Sequence, residues 1–190
     1  GIEGVKVSNG IDVVKTNVKG QYEIELPAES ILFISKPADY RVPLNEVQLP
    51  QFYYSHYPNG TPAVADWKWS VIQPTGGLPK SIDFPLLKGA VPDTFKAMGF
   101  ADPQTTGMIA GDVVNDNLGL YERHNKLMSQ IGIPMWNVPG NHDINRESPN
   151  YEYSTQTYRS VFGPDYYSFD YGQVHFLALN NIGFKGRGKG

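Results

Sequence analysis

The 190-residue chain contains no cysteine. This absence excludes a disulfide scaffold, a thiolate zinc site and a cysteine nucleophile. No apolar run approaches the roughly 18 residues that a membrane span requires. The chain also lacks an opening basic segment followed by an apolar one, although its abrupt start at Gly1 is compatible with an export signal that has been removed.

Basic residues are not in excess either, because 16 Lys and Arg stand against 19 Asp and Glu, for a net charge of −3. A general nucleic-acid-binding protein would carry a basic excess, so this class is disfavoured. Charged residues make up 18% and hydrophobic residues 40%, which argues against disorder and against a coiled coil. The 20 glycines and 15 prolines favour turns between strands over a helical bundle.

The first half of the chain has the pattern of short strands separated by turns. Residues 4–10 predict a strand that runs into an Asn-Gly turn, which is a hairpin signal. Residues 21–26 alternate polar and apolar side chains, so Tyr22, Ile24 and Leu26 are expected to face the interior. Further candidate strands are 31–34 and 82–87. We therefore predict an all-β sandwich domain over residues 1–90, with no helix.

Aromatic residues are concentrated between residues 52 and 77, in Phe52-Tyr53-Tyr54-Ser55-His56-Tyr57 and in Trp67-Lys68-Trp69. These rings could form a stacking surface for sugars or bases. They could equally fill a small β core or pack against a neighbouring domain, and this second interpretation is favoured.

From about residue 91 the pattern changes to strands that alternate with a helix. Candidate strands span 95–101, 108–110 and 133–138, and a candidate helix spans 118–131. Strand, helix and strand in this order predict a βαβ unit with a parallel pair of strands and a right-handed crossover. Segments 166–171 and 173–179 predict an antiparallel hairpin around Gly172.

The candidate helix carries an apolar stripe with spacings of four, three and four residues. Its members are Leu120, His124, Leu127 and Ile131. Asn117 is placed to cap the start of the helix and Gly132 to end it.

The connection between the strand that ends at Asp102 and the one that begins near Gly107 is too short for a parallel pair. A parallel crossover needs about ten or more residues. Either the two strands form an antiparallel hairpin, or residues are missing between Thr106 and Gly107, and we favour missing residues. The chain ends directly after a strand in a Gly-rich segment, as expected for the ordered part of a longer protein.

Three polar clusters each follow a predicted strand: Asp102-Pro103-Gln104, Gly111-Asp112 and Gly140-Asn141-His142-Asp143. If the strands are parallel, the clusters meet at one edge of the sheet, where open α/β sheets bind ligands. Their oxygen and nitrogen atoms suit hard or borderline divalent cations, and one carboxylate between two strands can bridge a pair. Two metals about 3.5–4 Å apart can clamp both oxygens of a phosphoryl displacement.

Together the clusters resemble the calcineurin-like metallophosphoesterase family, in which Asp-x-His, Gly-Asp and Gly-Asn-His-Asp/Glu blocks follow one another. Residues 111–116 and 140–143 match the second and third blocks, and 166–176 resemble the later hairpin, so the resemblance covers about 94–181. It implies an α/β fold for residues 91–190, as the incomplete, amino-terminal part of a metallophosphoesterase α/β sandwich.

The resemblance also implies a role for each matching residue. Asp102 and Gln104 would bind the first metal, although the family usually has histidine at the position of Gln104. Asp112 would bridge both metals and Asn141 would bind the second. His142 would act on the leaving-group oxygen or stabilise the transition state. The cofactors would be two divalent ions (Mn, Fe, Zn or Mg), and a hydroxide that bridges them would attack phosphorus.

The family's downstream histidine ligands do not occur here. The histidines besides His142 are His56, in the aromatic region, His124, on the apolar stripe, and His175, which we interpret as a satisfied structural residue in an apolar strand. The chain therefore holds half of a dinuclear site, and we expect it to bind metals weakly by itself and to turn over slowly or not at all. Asn145, Arg146 and Tyr151 are plausible groups at the rim of the site.

The first 35 residues resemble transthyretin-like or carboxypeptidase-regulatory-like β-sandwich modules, through Val5–Gly10, Thr16-Asn17 and Gly20–Tyr22. A variant of this module precedes some bacterial metallophosphoesterases, which implies a location outside the cytoplasm, in the periplasm or at the cell surface. The expected partner is a phosphorylated small molecule or phosphodiester substrate. The alternatives are a noncatalytic glycan-binding protein with a degenerate phosphoesterase half, and a structural cell-surface module.

Overall fold

The computed structural model of the chain describes residues 1–89, Phe95, 99–100 and 108–184. The amino-terminal strands are β1 (Lys6–Ser8), β2 (Val13–Lys15), β3 (Ser30–Ile34), β4 (Tyr40–Arg41), β5 (Tyr53–His56) and β6 (Leu87–Lys88). The later elements are β7 (Gly99–Phe100), β8 (Met108–Ala110), α1 (Tyr121–Ser129), β9 (Trp136–Val138), α2 (Gln156–Phe162), β10 (Tyr167–Tyr171) and β11 (Val174–Ala178). The described part thus consists mostly of small sheets with few helices.

The larger amino-terminal sheet is antiparallel, with strand order β2-β1-β3-β5. The hairpin predicted at the Asn-Gly turn is confirmed, since the side-chain oxygen of Asn9 accepts hydrogen bonds from the amides of Ile11 and Asp12 at 2.9 and 2.7 Å. β4 and β6 form a separate two-stranded sheet. These sheets make the first 89 residues β-rich, and the sandwich arrangement stays a prediction.

Two of the predicted strands do not form strands, although the side chains predicted to face the interior do so. Residues 21–26, and 82–86 of the predicted 82–87, are extended and alternate between exposed and half-buried side chains, yet no described strand pairs with them. Their inward side chains pack against the core, and Tyr22 Oη donates a hydrogen bond to the carbonyl of Ile82 at 2.6 Å. In these two segments the alternating pattern therefore predicted correctly which side chains face the core, but not that the backbone would pair with another strand.

The second sheet is parallel, with strand order β7-β8-β9. The predicted βαβ unit is confirmed, because α1 connects the parallel neighbours β8 and β9. β7 pairs parallel with β8, so the antiparallel-hairpin alternative is wrong. Most of the strand predicted over 95–101 and the connection 101–107 lie outside the described residues, and residues missing after Thr106 stay a prediction.

The helix was predicted in the correct place with the wrong face inward. A 3-10 turn at Leu118–Leu120 precedes α1. The buried residues are Leu118, Tyr121, Asn125 and Met128, whereas Leu120, Leu127 and Ile131 are exposed. These buried residues also have helical spacing. The ring of Tyr121 determines which face is buried, because it packs edge-on against the ring of Phe162 in α2, with 5.0 Å between the ring centroids. Asn117 makes no side-chain cap, and the helix ends three residues before Gly132.

Side chains of the first sheet and of the β10–β11 hairpin share one core. The hairpin itself is confirmed, with Phe169 opposite Phe176, whereas α2 was not predicted. Phe169 stacks on Trp136 of β9 at 4.1 Å, and Phe52 and Tyr57 are buried in the same core. The core-filling interpretation of the aromatic region is therefore confirmed for these two rings. This core joins residues from both predicted domains, and the boundary near residue 90 stays a prediction.

Helices that could cross a membrane are absent from the part of the chain that the structure describes.

Candidate functional site

The loops that follow β8 and β9 touch at two glycines. Gly111 has a φ of +101°, in the region that side chains rarely adopt, and a Cβ there would lie 3.0 Å from the Cα of Gly140. A Cβ on Gly140 would lie 2.1 Å from both the amide nitrogen and Oδ1 of Asp112. Because no side chain fits in so small a space, the two glycines allow the loops to lie backbone against backbone.

The carboxylate of Asp143 connects the two loops through hydrogen bonds on their buried side. It is fully buried. It accepts hydrogen bonds from the amides of Val113 (2.9 Å), Val114 (3.2 Å) and Gly140 (2.8 Å), and from Tyr121 Oη (3.0 Å). Burial raises the pKa of Asp143, and these hydrogen bonds oppose the shift. With both oxygens engaged, Asp143 is a structural residue of the site and is not available as a metal ligand.

Asp112 lies at the junction of the two loops, the place where Gly111 and Gly140 touch. It is half-buried and has a φ of +51°. Its Oδ1 accepts a hydrogen bond from the amide of His142 at 3.0 Å. Its Oδ2 accepts none from the described residues, which leaves that oxygen for a cation. The backbone bond places the Asp112 carboxylate beside Asn141, the exposed residue that precedes His142.

Asp116, at the far end of the loop after β8, contacts the imidazole of His142 and the guanidinium of Arg146. Its Oδ1 lies 2.9 Å from Nδ1 of His142 and accepts a hydrogen bond from Nε of Arg146 at 3.2 Å. The hydrogen bond from Arg146 is the main cause that lowers the pKa of Asp116. The hydrogen bond to Asp116 raises the pKa of His142 above its ordinary 6.5. The imidazole is therefore oriented and biased towards its protonated form next to Asp112.

The structure places the amide of His142, the residue after Asn141, 3.0 Å from Oδ1 of Asp112, while Asp102 and Gln104 lie outside the described residues, so the predicted set of site residues stays a prediction. A carboxylate oxygen and an amide oxygen are the donor types that hard divalent cations prefer. Within the described residues no group of three or more His, Asp or Glu side chains is placed to hold a metal ion. The described donors fit one side of a cation site.

The remaining histidines lie apart from these loops. His56 is buried on β5, and its Nδ1 has no hydrogen-bond partner within the described residues. Burial lowers the pKa of His124 on α1. His175 was expected to be a structural residue inside an apolar strand. It is exposed on β11 and pairs with Asp170 across the hairpin, because β11 presents that side to solvent.

Sequence reasoning missed the partners that organise the site. Asp116 stands in the Gly-Asp block and received no role, and Arg146 was treated only as a rim group. Asn145 was also expected at the rim, yet it is fully buried and bonded to Thr157 at the start of α2. Asp116 and Arg146 lie a few residues after Gly111-Asp112 and Gly140–Asp143, and this spacing is the one sequence signal that could have indicated them. Their contact depends on how the two loops are placed in the folded protein, which the local sequence does not show.

Residues 1–70 match a family model described as the N terminal of calcineurin-like phosphoesterase. This match supports the relation to calcineurin-like phosphoesterases, and with it a hydrolase family whose members generally use divalent metals. Searches of curated proteins and of solved structures gave no match to this chain. The matched segment comprises the antiparallel sheet β2-β1-β3-β5, so it is independent of the loops after β8 and β9.

Proposed function

We propose that the protein is a metal-dependent phosphoesterase that hydrolyses a phosphomonoester, a phosphodiester or a pyrophosphate. The observation that carries the proposal is the junction of the loops after β8 and β9, where Asp112 and Asn141 lie beside a histidine oriented by Asp116. The match of residues 1–70 supports it from a separate part of the chain. The catalytic domain is assigned to residues 91–190, with the α/β phosphoesterase fold, after a β-sandwich module at 1–90.

In this proposal, oxygen donors of four residues hold two divalent ions (Mn, Fe, Zn or Mg). Asp102 and Gln104 would hold the first ion, Asn141 the second, and Asp112 both. When bound, the ions supply positive charge that activates water and stabilises charge at phosphorus. The half-buried position of Asp112 fits this assignment, since a carboxylate that is partly desolvated binds a cation more strongly than a fully hydrated one.

His142 would donate a proton to the leaving-group oxygen or stabilise the charge that develops on it. General acid catalysis needs a group whose pKa lies near the working pH and whose geometry is fixed. The hydrogen bond to Asp116 fixes the ring through Nδ1 and raises the pKa of His142 above its ordinary 6.5. Nε2 is then the nitrogen left for substrate.

The alternative function is a noncatalytic glycan-binding or cell-surface module with a degenerate phosphoesterase half. This alternative rests on the interpretation of the aromatic residues between 52 and 77 as a surface on which sugars stack. Phe52 and Tyr57 are buried in the core, which removes the two rings from any such surface. Trp67 and Trp69 are half-buried. The geometry therefore favours the enzyme over the glycan-binding alternative.

The test compares hydrolysis of p-nitrophenyl phosphate and bis-p-nitrophenyl phosphate, with manganese or zinc, by the wild type and three variants. Asp112→Asn and His142→Ala should each lower turnover, and His142→Ala should leave bound metal unchanged. Asp66→Asn, which changes an exposed carboxylate far along the chain from these loops, should behave as wild type. Because slow or absent turnover is already expected of this chain, metal content decides between the functions, and a highly pure wild type that binds neither manganese nor zinc would favour the alternative function.

The proposed substrate is a phosphorylated small molecule or a phosphodiester, and general nucleic-acid binding is not expected at a net charge of −3. A location outside the cytoplasm, in the periplasm or at the cell surface, is part of the proposal and rests on the character of the amino-terminal module.

A further inference from the structure

One carboxylate oxygen, Oδ1 of Asp116, positions the imidazole of His142 and the guanidinium of Arg146 side by side. Arg146 reaches it through both Nε and Nη2, while the other terminal nitrogen, Nη1, makes no hydrogen bond within the described residues. The side chain of Arg146 is half exposed. The guanidinium is thus fixed in direction and keeps free donors towards solvent.

Stability alone does not account for this arrangement. An exposed ion pair contributes about 0–1 kcal/mol to folding. Asp116 holds its two partners with a φ of +56°, a backbone conformation that is uncommon outside glycine. Asp112, next to His142, has the same left-handed conformation. The loop after β8 therefore holds the imidazole of His142 and the guanidinium of Arg146 through one oxygen of Asp116, close to Asp112.

We propose that Arg146 binds a terminal oxygen of the substrate's phosphoryl group and so favours phosphomonoesters over phosphodiesters. The inference rests on the proposed function, whose substrate class it narrows. A guanidinium matches phosphate oxygens because its N–H groups form a planar fork. A phosphomonoester presents three strong acceptor oxygens and a charge near −2. A diester has two terminal oxygens and a single negative charge, so it has no further oxygen to offer Arg146 once the others are bound.

The carboxylate of Asp116 does not prevent an anion from approaching this side of the site. Its Oδ1 is paired with the guanidinium of Arg146, whose positive charge offsets that of the carboxylate, and also contacts His142. Asp143 is buried below the loops and fully hydrogen-bonded. The Asp112 carboxylate forms no ion pair within the described residues, and this is the group assigned to the cations.

The experiment measures the binding of inorganic phosphate and of dimethyl phosphate to the full chain by ³¹P NMR titration, with and without magnesium. Dimethyl phosphate serves as the diester probe. The variants are Arg146→Ala, Arg146→Lys and, as a matched control, Arg123→Ala. Arg123 lies on the exposed side of α1 and makes no hydrogen bond within the described residues. Circular dichroism establishes that each variant is folded, and a separate magnesium titration records metal binding.

We expect Arg146→Ala to weaken phosphate binding by about 10-fold or more and to change dimethyl phosphate binding little. Arg146→Lys should retain part of the affinity, and Arg123→Ala all of it. Equal phosphate binding by wild type and Arg146→Ala, an equal loss for both anions, or no phosphate binding by the wild type would overturn the inference. Arg146-dependent phosphate binding by a chain that binds no metal would contradict the proposed function and leave the anion site standing.

Discussion

Asp143 and Val113 are 30 residues apart in the sequence, and the amide of Val113 donates a hydrogen bond to the buried carboxylate of Asp143 at 2.9 Å. This contact fixes the loop after β8 to the loop after β9. The two loops carry Asp112 and Asn141, two of the four proposed metal ligands, so the geometry of this half of the site depends on a residue that does not itself face a ligand.

Replacement of Asp143 by asparagine should destabilise the protein. Three backbone amides and the Tyr121 hydroxyl converge on the carboxylate, and an asparagine NH₂ group would face at least one of these donors. A buried donor without an acceptor costs about 1–3 kcal/mol, so we expect the free energy of unfolding to fall by about 2 kcal/mol or more. Urea denaturation measures it.

The control for this prediction is Asp66→Asn, which removes the same charge from an exposed site. It should change the free energy of unfolding by less than about 0.5 kcal/mol. Equal stability of Asp143→Asn and wild type would show that the carboxylate does not fasten the loops.

A methyl group at Gly140 should separate the two loops. The added Cβ would lie 2.1 Å from Asp112 N and Oδ1, a distance that only movement of the backbone can relieve. We expect Gly140→Ala to lower the free energy of unfolding by about 1–3 kcal/mol and to weaken metal binding. Gly77→Ala, where a Cβ meets nothing within 4 Å, is the matched control and should do neither.

The sequence predicted the chemistry of these loops better than it predicted their structural support. Glycines and polar residues directly after strands predicted Asp112, Asn141 and His142 as site residues, and the structure places the loops that carry them against each other. The roles of Asp143 and Asp116 depend on where two loops 30 residues apart come to lie, and the local pattern contains no such information. Asp143 belongs to a polar cluster that the sequence predicts as a source of metal ligands. In the structure its carboxylate instead accepts hydrogen bonds from the backbone of both loops.

The same limit applies to the fold. Apolar alternation at Tyr22, Ile24 and Leu26 correctly gave the inward face, but strand pairing needs a neighbour that the local pattern does not reveal. The helix had two possible apolar faces, and packing of Tyr121 against α2 selected the one that the stripe did not predict. Parallel pairing of β8 with β9 was predictable because strand, helix and strand permit few topologies.

The titration of His142 should depend on Asp116. The hydrogen bond to that carboxylate raises the pKa of the imidazole in the folded protein. In Asp116→Asn the carboxylate charge is absent, so the His142 pKa should fall towards 6.5. NMR of the imidazole resonances measures this value in both proteins. A pKa that is unchanged in the variant would mean that Asp116 does not set the protonation of His142.

The stability of the protein should decline in mild acid because of His124. Burial lowers the pKa of this imidazole, so the folded state holds its neutral form. The stabilisation is complete above the unfolded pKa of about 6.5 and is lost as the pH falls through the folded pKa. His124→Gln should flatten this part of the stability profile in urea denaturation, whereas replacement of the exposed His175 should not. Parallel profiles for wild type and His124→Gln would contradict the prediction.

Manganese binding to the full chain, followed by the EPR signal of free Mn²⁺ in wild type, Asp112→Asn and His142→Ala, tests the proposed site most directly. The account predicts weak but saturable binding by the wild type, unchanged binding by His142→Ala, and a loss of at least about 10-fold in affinity for Asp112→Asn, because removing even a supporting residue of a metal site commonly costs that much. Manganese bound equally well by wild type and Asp112→Asn would contradict it.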